Sequence, residues 1–324
     1  MTKNHGKNEL KPSIFIDMNE KPDIETLAVR YILSIMIVSA SYRTDIPAFY
    51  GGWFAQALAQ GYTMVSNPYG GKPYRVDLVG DKVDGFVFWT RNMEPFRANL
   101  ATIAGQGVPF MVQYTATGYP RALEPSVIAP EQAVASIKNL AGTYRARAVV
   151  WRYDPIVFTD LTDADFHRRN FARLAGALTG SVDEVCISFA QIYRKTRRNL
   201  DQAAEKHGFT WWDPDWEAKQ TLLEDLQATA ADHHMRLTVC SQPDINAAPA
   251  RCIDIQRLSD IAGHDIKARQ KGNRPGCLCA ESRDIGTYDT CPHGCAYCYA
   301  VRDRDKALMN YRGHTADAER LSMP

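Results

Sequence analysis

Short apolar runs alternate with amphipathic stretches along most of the chain, from Met36 to Cys240. Seven of the runs are rich in Val, Ile and Phe and are bounded by polar residues, which predicts buried strands. These predicted strands are Met36–Ser41, Tyr62–Ser66, Gly85–Thr90, Pro109–Tyr114, Arg147–Arg152, Glu184–Phe189 and Arg236–Cys240. Apolar residues at helical spacing predict helices over Phe54–Gln60, Met93–Ala104, Pro130–Ala141, Asp163–Leu178 and Glu217–His234.

This alternation predicts an α/β fold in which parallel strands are joined by helical crossovers. The number of strand and helix units favours a (β/α) barrel, full or partial. A dinucleotide-binding fold is disfavoured because no G-x-G-x-x-G motif follows a predicted strand. We predict an N-terminal extension over residues 1–35, the barrel over 36–250, and a cysteine-rich iron–sulfur segment over 251–324 that packs on the barrel.

Composition and charge narrow the class of protein. The chain has 324 residues, 45% hydrophobic and 23% charged, which is typical of a water-soluble globular protein. Its 38 Lys and Arg residues nearly balance 37 Asp and Glu residues, so no overall field attracts nucleic acid or anionic lipid. The apolar run Tyr31–Ser41 is about half the length of a spanning helix, so we predict no membrane association and a cytoplasmic location.

Polar and aromatic residues follow several predicted strands, at the end of a barrel where catalytic residues usually lie. We predict that Arg43, Asp45, Arg152 and Asp154 contact a substrate or cofactor. We also predict that Tyr153 or Tyr299 is catalytic and relays a hydrogen atom. One alternative remains open, in which the Arg and Asp residues of each segment form neighbouring ion pairs that hold loops.

Five of the eight cysteines fall within one short C-terminal stretch, which in a reducing compartment suggests a metal site. Cys291, Cys295 and Cys298 have the spacing C-x3-C-x2-C. Three thiolates on one tight loop can each bind a separate iron of a 4Fe–4S cluster, which leaves the fourth iron without a protein ligand. Either Cys277 or Cys279 supplies that fourth ligand, or both hold a separate metal; both options remain open.

The other sequence features have simpler interpretations. Cys186, Cys240 and Cys252 are predicted to be buried small hydrophobic residues or surface thiols, and we leave them out of the site. Two basic runs, 194–198 and 267–274, are predicted to be solvated helix faces. A grip on nucleic acid, or on a small phosphate or carboxylate substrate, is the alternative for the first run.

The loop sequence TCPHGCAYCYA resembles the cluster loop of radical S-adenosylmethionine (SAM) enzymes, and within them the C-x3-C-x-Tyr-C-Tyr form of the spore-photoproduct-lyase group. A longer span, from Met36 to about Arg312, resembles a bacterial family of unknown function that has a radical-SAM-like cysteine cluster at its C-terminus. The segments that carry this second resemblance are SASYRTDIPAFYG, FWTRN, WRYDP and DIGTYDTCPHGCAYCYA.

The first resemblance implies that Cys291, Cys295 and Cys298 ligate three irons and that the open iron chelates SAM. It implies that Tyr297 lies near the adenine. Reductive cleavage of SAM would then release methionine and a 5′-deoxyadenosyl radical. Because the loop follows the last predicted strand, we expect it to fold back over the carboxyl-terminal face of the barrel strands.

We therefore expect an iron–sulfur enzyme with a 4Fe–4S cluster and SAM as cofactors. Its substrate, a small molecule or a nucleic acid, is left open, and its reductant would be an electron donor such as a flavodoxin or ferredoxin. Two alternatives remain. One is a non-catalytic redox or sensing protein with a closed four-cysteine cluster, and the other is a zinc-stabilised barrel hydrolase.

Overall fold

The computed structural model describes residues 36–67 and 70–321. The predicted N-terminal extension, residues 1–35, lies outside these described residues. The strands of the described residues are β1 (Ile37–Ala40), β2 (Tyr62–Val65), β3 (Tyr74–Asp77), β4 (Gly85–Thr90), β5 (Phe110–Thr115), β6 (Val149–Ile156), β7 (Phe158–Thr159), β8 (Glu184–Phe189), β9 (Trp211–Trp212), β10 (Arg236–Val239) and β11 (Ser282–Asp284).

Helices connect most of the strands. Their bounds are Ile46–Phe49, Gly51–Gln60, Arg97–Gly105, Pro130–Tyr144, Ala164–Leu178, Arg194–His207, Trp216–Asp232, Ile255–Ala262 and Arg304–Gly313. The five predicted helices are confirmed, with ends shifted by a few residues. Helix Arg194–His207 was anticipated only as a solvated helix face at 194–198, because most of its residues are charged or polar and it buries only Thr196 and Leu200.

The main sheet has seven parallel strands in the order β10-β8-β6-β5-β4-β1-β11. The predicted α/β class with a parallel sheet is therefore confirmed. The full barrel is not observed, because β10 and β11 form two separate edges and the sheet does not close. Two short antiparallel pairs, β2 with β3 and β7 with β9, lie outside the main sheet.

All seven predicted strands are present, but one of them has a different place from the one expected. β2 leaves the main sheet to pair with β3, whereas β11, which was not predicted, pairs with β1. β11 has only three residues, SRD, and one of the three, Arg283, is exposed. A strand so short and polar has no apolar pattern to reveal it.

The two faces of the main sheet are buried by different parts of the chain. Helices pack on one face and form a large apolar cluster with side chains such as Phe86, Tyr114 and Trp151. The other face carries a second apolar cluster, which includes Val87, Met111 and Val150 together with residues 250–280 of the C-terminal segment. That segment therefore covers the face of the sheet that the interior of a closed barrel would enclose.

Among the residues described, no helix is long and apolar enough to cross a membrane.

Candidate functional site

The loop with Cys291, Cys295 and Cys298 lies between β11 and helix Arg304–Gly313. Gly294 has a φ of 75°, and a Cβ atom there would lie 2.5 Å from Nε of Arg304. Only glycine fits this tight turn of the loop.

Burial raises the pKa of each of the three loop thiols, and for Cys295 it raises the pKa to about 12. The nearby Asp45, Cys298 and Cys295 raise the pKa of Cys291 further. Three thiols close enough to disfavour one another's ionised forms share one small volume of the protein. A cation in that volume would stabilise their thiolate forms.

Asp45 ties the cysteine loop to the carboxyl ends of β1 and β4. Its Oδ2 atom lies 2.8 Å from Nε2 of His293 and accepts a hydrogen bond of 2.8 Å from the backbone nitrogen of Arg91. Its Oδ1 atom accepts from the backbone nitrogen of Ala48 at 3.0 Å and so caps helix Ile46–Phe49. Asp45 thus uses both oxygens to position protein groups, a role that sequence reasoning did not assign to it.

A buried charge network lies beside Cys295. Nη1 of Arg91 is 2.9 Å from Oε1 of Glu124, and Nη2 of Arg91 donates to the Tyr297 hydroxyl at 2.6 Å. The Tyr297 hydroxyl donates a short hydrogen bond to the same Glu124 oxygen, which also accepts from Thr117 at 2.5 Å. Tyr297 is 6% exposed and faces inward. This placement does not support the predicted contact between Tyr297 and adenine.

Arg43 forms its ion pair with Asp284 of β11 rather than with Asp45, and Nε of Arg43 is 3.1 Å from Oδ1 of Asp284. Asp284 also accepts from Ser39 at 2.9 Å and from Ser41 at 2.7 Å. The Tyr299 hydroxyl donates to the backbone oxygen of Tyr42, the residue before Arg43, at 2.6 Å, although the Tyr299 side chain is 42% exposed. Asp284 was missed by sequence reasoning because β11 itself had no apolar pattern.

Arg152 and Asp154 do form the neighbouring ion pair that was left open, with 2.5 Å between Nη2 and Oδ2. The guanidinium of Arg152 also packs over the ring of Trp89, with 5.1 Å to the ring centroid. Its Nη1 atom lies 2.9 Å from Sγ of Cys252 and 3.4 Å from Sγ of Cys186. Arg152 therefore lies within β6 beside thiols that the sequence analysis had set aside, and Asp154 is its carboxylate partner.

Those thiols belong to a group of five, which we call the five-thiol group: Cys186, Cys240, Cys252, Cys277 and Cys279. Sγ of Cys252 is 3.6 Å from Sγ of Cys240, and Nη2 of Arg274 is 3.3 Å from the Cys240 sulfur. The hydrogen bond from Cys279 lowers the pKa of Cys277 to about 5. Cys277 and Cys279 thus have each other and Cys252 as thiol partners, not the loop cysteines.

Cys186 and Cys240 carried one usable signal that we passed over. Both lie in or directly after neighbouring parallel strands, β8 and β10, and such positions meet at the same edge of a sheet. Cys252 had no comparable signal, because it lies in an irregular segment before helix Ile255–Ala262.

In the described part of the chain all eight cysteines are free thiols. Over the same residues, no group of three or more His, Cys, Asp or Glu side chains is arranged so that it could hold a metal ion. A single ion needs all its ligands around one point, whereas a 4Fe–4S cluster binds each thiolate through a different iron. The loop thiols fit the second requirement by their chemistry and their shared loop.

A cavity of about 350 Å³ opens beside the carboxyl ends of β8 and β10. Gln191, which follows β8, and Ser241, which follows β10, contribute to its lining together with Trp216, Lys219 and Asp244. Its volume lies at the lower end of the range for small-molecule sites. Lys195, from the basic run 194–198, lies over the ring of Tyr288, with 5.1 Å between its Nζ and the ring centroid. Tyr288 is three residues before Cys291, so the first basic run borders the cysteine loop as well.

Tyr153 does not join the candidate site. It is fully buried in the large apolar cluster, and its hydroxyl lies 3.0 Å from Nδ1 of His167 and 3.1 Å from Nδ2 of Asn170. Alternate residues of a strand face opposite sides of the sheet, so Tyr153 points to the helices while Arg152 and Asp154 point away from them. This position gives no support to Tyr153 as a hydrogen-atom relay.

The His167 contact makes the stability of the fold depend on pH. Nε2 of His167 faces the backbone oxygen of Val157 at 3.1 Å, and burial lowers the pKa of His167 to about 4. The unfolded chain binds a proton at this histidine below pH 6.5, and the folded chain does so only near pH 4. We expect the unfolding free energy to fall by about 3 kcal/mol from this source between pH 6.5 and 4.

Chemical denaturation of the wild type and of His167→Gln across this pH range measures the effect. The variant should have lower stability at pH 7 and a shallower decline towards pH 4. Parallel profiles for the two proteins would contradict a neutral buried His167.

Comparison with known proteins shows to which family the chain belongs. The model of a domain of unknown function, DUF1848, matches residues 37–300, which include the whole main sheet and the cysteine loop. No curated protein and no solved structure matches the chain. The matched span covers most of the sequence, and the chain therefore belongs to the DUF1848 family, a domain of unknown function.

Proposed function

We propose that this protein is an iron–sulfur enzyme that holds a 4Fe–4S cluster on Cys291, Cys295 and Cys298 and uses SAM for radical chemistry. The observation that carries the proposal is the common position of the three thiols. They share one half-buried loop, which the contact of His293 with Asp45 ties to the carboxyl ends of β1 and β4. The resemblance of the loop to that of radical SAM enzymes, in particular the spore-photoproduct-lyase group, supports the same proposal.

The partners of the other cysteines favour an open cluster over a closed one. A closed centre needs a fourth thiolate beside the loop. Cys279, the candidate for that ligand, bonds instead with Cys252 and Cys277. This arrangement supports an iron free of protein ligands and weighs against the redox or sensing alternative.

When bound, such a cluster supplies an electron and a coordination site for reductive cleavage of SAM. The residues of this chain would position the loop and shield its surroundings. Asp45 and His293 hold the loop to the sheet, and the buried Arg91 stabilises negative charge at Cys295. The half-exposed Tyr299 lies next to Cys298, and its hydroxyl donates to the backbone oxygen of Tyr42, the residue before Arg43.

The fold is consistent with this chemistry. Six strands of the main sheet, β1, β4, β5, β6, β8 and β10, follow one another in chain order, and we interpret them as a partial (β/α) barrel. In such sheets ligands bind at the carboxyl ends of the strands. The cavity beside β8 and β10 is our candidate for the substrate site, and its size favours a small molecule over a nucleic acid.

The proposal carries two further expectations. The protein needs an electron donor such as a flavodoxin or ferredoxin to reduce the cluster. We also expect the protein to act in the cytoplasm, because exposed iron–sulfur clusters and free thiols persist in a reducing compartment.

Electron paramagnetic resonance of the anaerobically purified, dithionite-reduced protein tests the proposal. We expect the cluster signal to change when SAM is added, because a ligand at the open iron alters its electronic environment. A sodium salt of the SAM counter-ion, added at the same concentration, serves as the control for ionic effects. A cluster signal indifferent to SAM would favour the closed redox centre, and a preparation with zinc but no iron would favour the zinc-stabilised hydrolase.

A further inference from the structure

Five cysteines from four separate segments meet where the C-terminal segment covers the second face of the sheet. Cys186 lies on β8, Cys240 follows β10, Cys252 precedes helix Ile255–Ala262, and Cys277 and Cys279 precede β11. Sγ of Cys252 lies 3.6 Å from Sγ of Cys240, and the backbone nitrogen of Ile253, the next residue, donates to Sγ of Cys279 at 3.4 Å. Cys186 and Cys277 belong to the same second apolar cluster. Thiols spread over 94 residues of sequence are thus collected at one place.

Two arginines direct their guanidinium groups at these sulfurs. Nη1 of Arg152, which is 4% exposed, lies 2.9 Å from the Cys252 sulfur and 3.4 Å from the Cys186 sulfur. Nη2 of Arg274 lies 3.3 Å from the Cys240 sulfur. Asp154 pairs with Nη2 of Arg152 at 2.5 Å, and Nη1 of the same guanidinium faces the sulfurs. A neutral thiol is only a weak acceptor, so N–H donors directed at sulfur suit thiolates better than thiols.

We propose that the five-thiol group is a second metal centre, ligated by Cys240, Cys252, Cys279 and either Cys186 or Cys277, and separate from the cysteine loop. Four thiolates bind soft metals, either as a single zinc ion or as a 4Fe–4S cluster. Arg152 and Arg274 then offset the negative charge of the thiolates through N–H···S hydrogen bonds. This inference does not depend on what the cysteine loop binds.

The spacing of the sulfurs is compatible with this assignment. With metal–sulfur bonds of about 2.3 Å, the sulfurs of a tetrahedral site lie roughly 3.8 Å apart. The Cys240 and Cys252 sulfurs are 3.6 Å apart. The five groups contact one another instead of surrounding a common point, which accords with the lack of a formed ion site among the described residues. Metal binding would release the thiol protons and turn the side chains towards the metal.

The position of the group allows a metal to reach it. Cys277 is only half-buried, whereas Cys186 and Cys252 are buried in the second apolar cluster. Ser241 and Pro275, the neighbours of Cys240 and Arg274, line the cavity of about 350 Å³. A metal that enters at Cys277 would therefore meet a thiol on the outside and become enclosed by the others.

Metal analysis of cysteine variants tests the second centre. Iron, acid-labile sulfide and zinc are measured per chain in the full-length protein purified anaerobically. The first variant, with Cys291→Ser, Cys295→Ser and Cys298→Ser together, removes the loop ligands. We expect it to retain iron with sulfide, or zinc, at close to one centre per chain. Adding Cys252→Ser and Cys279→Ser should reduce that remaining metal at least tenfold.

Each outcome of the metal analysis either supports or overturns the second centre. Iron with sulfide identifies a second cluster, and zinc without sulfide identifies a mononuclear site; both support the proposal. A loop variant without bound metal overturns it, as does metal that survives the loss of Cys252 and Cys279. Failure of the proposed radical SAM function would be seen in a different experiment, as an electron paramagnetic resonance signal of the loop cluster that does not change when SAM is added.

Two controls separate ligand loss from unfolding. Val150→Ala removes apolar volume from the same second apolar cluster, where Val150 is 2% exposed, and should leave the metal content unchanged. Titration of the metal-free loop variant with Co²⁺ should produce thiolate-to-cobalt charge-transfer absorption that saturates at one ion per chain. If the loop variant shows no such absorption, the five-thiol group does not bind metal.

Discussion

Replacing Arg91 by methionine is expected to lower the unfolding free energy by about 3–5 kcal/mol. Arg91 is buried and bonds to Glu124, Tyr297 and Thr117, and Glu124 is only 3% exposed. The variant leaves the Glu124 carboxylate in a low-dielectric interior without its cation. Urea denaturation, with the midpoint and the slope both compared, measures the loss.

Two matched variants define this prediction. Arg97→Met breaks the ion pair of Arg97 with Glu94, whose side chains are 53% and 52% exposed, and should cost no more than about 1 kcal/mol. Arg91→Met combined with Glu124→Leu removes both buried charges and should recover part of the loss. If Arg91→Met costs no more than Arg97→Met, the buried network does not stabilise the fold.

Replacing any one of Cys291, Cys295 and Cys298 by serine is expected to reduce the SAM-dependent change of the electron paramagnetic resonance signal at least tenfold. An open cluster has three protein ligands and no spare thiolate to replace a lost one. Total iron is the weaker readout here, because the proposed second centre would hold iron of its own. The SAM-dependent part of the signal reports on the loop alone.

Cys277→Ser and Cys279→Ser are the matched controls for the loop variants. Under the open-cluster proposal both keep the response to SAM, because their thiol partners lie in the five-thiol group. Loss of the response in Cys279→Ser, with the fold intact by circular dichroism, would instead identify Cys279 as the fourth ligand. Serine variants of the loop that respond to SAM as the wild type does would contradict the proposed site.

Each of the two thiol sites has at least one arginine beside it. Arg91 lies beside Cys295 in the loop, and Arg152 and Arg274 lie beside the five-thiol group. Between the sites are Tyr42, Trp89 and the ion pair of Arg43 with Asp284; the rings of Tyr42 and Trp89 are 6.2 Å apart. The carboxyl ends of β1, β4 and β6 therefore carry a group of mostly buried polar and aromatic side chains between the two proposed centres.

Local sequence pattern determined the elements of this fold. Runs such as Gly85–Thr90 and Glu184–Phe189 are mostly apolar because both faces of their strands are buried, and this pattern predicted strands of a parallel sheet. The spacing of Cys291, Cys295 and Cys298 is also local, so the loop and its candidate chemistry were visible in the sequence. The ion pair of Arg152 with Asp154 was one of two open interpretations of that segment, and the structure forms it.

Only the tertiary structure decided which distant residues meet. It paired Arg43 with Asp284, directed Tyr153 and Tyr297 into the interior, and left the sheet open with β11 beside β1. It also gathered Cys186, Cys240 and Cys252 with Cys279 around Arg152. Such contacts depend on strand order and on where an irregular segment returns to the sheet. These are set by the packing of the whole chain, because no local pattern of apolar and polar residues encodes the distance between two segments that are far apart in sequence.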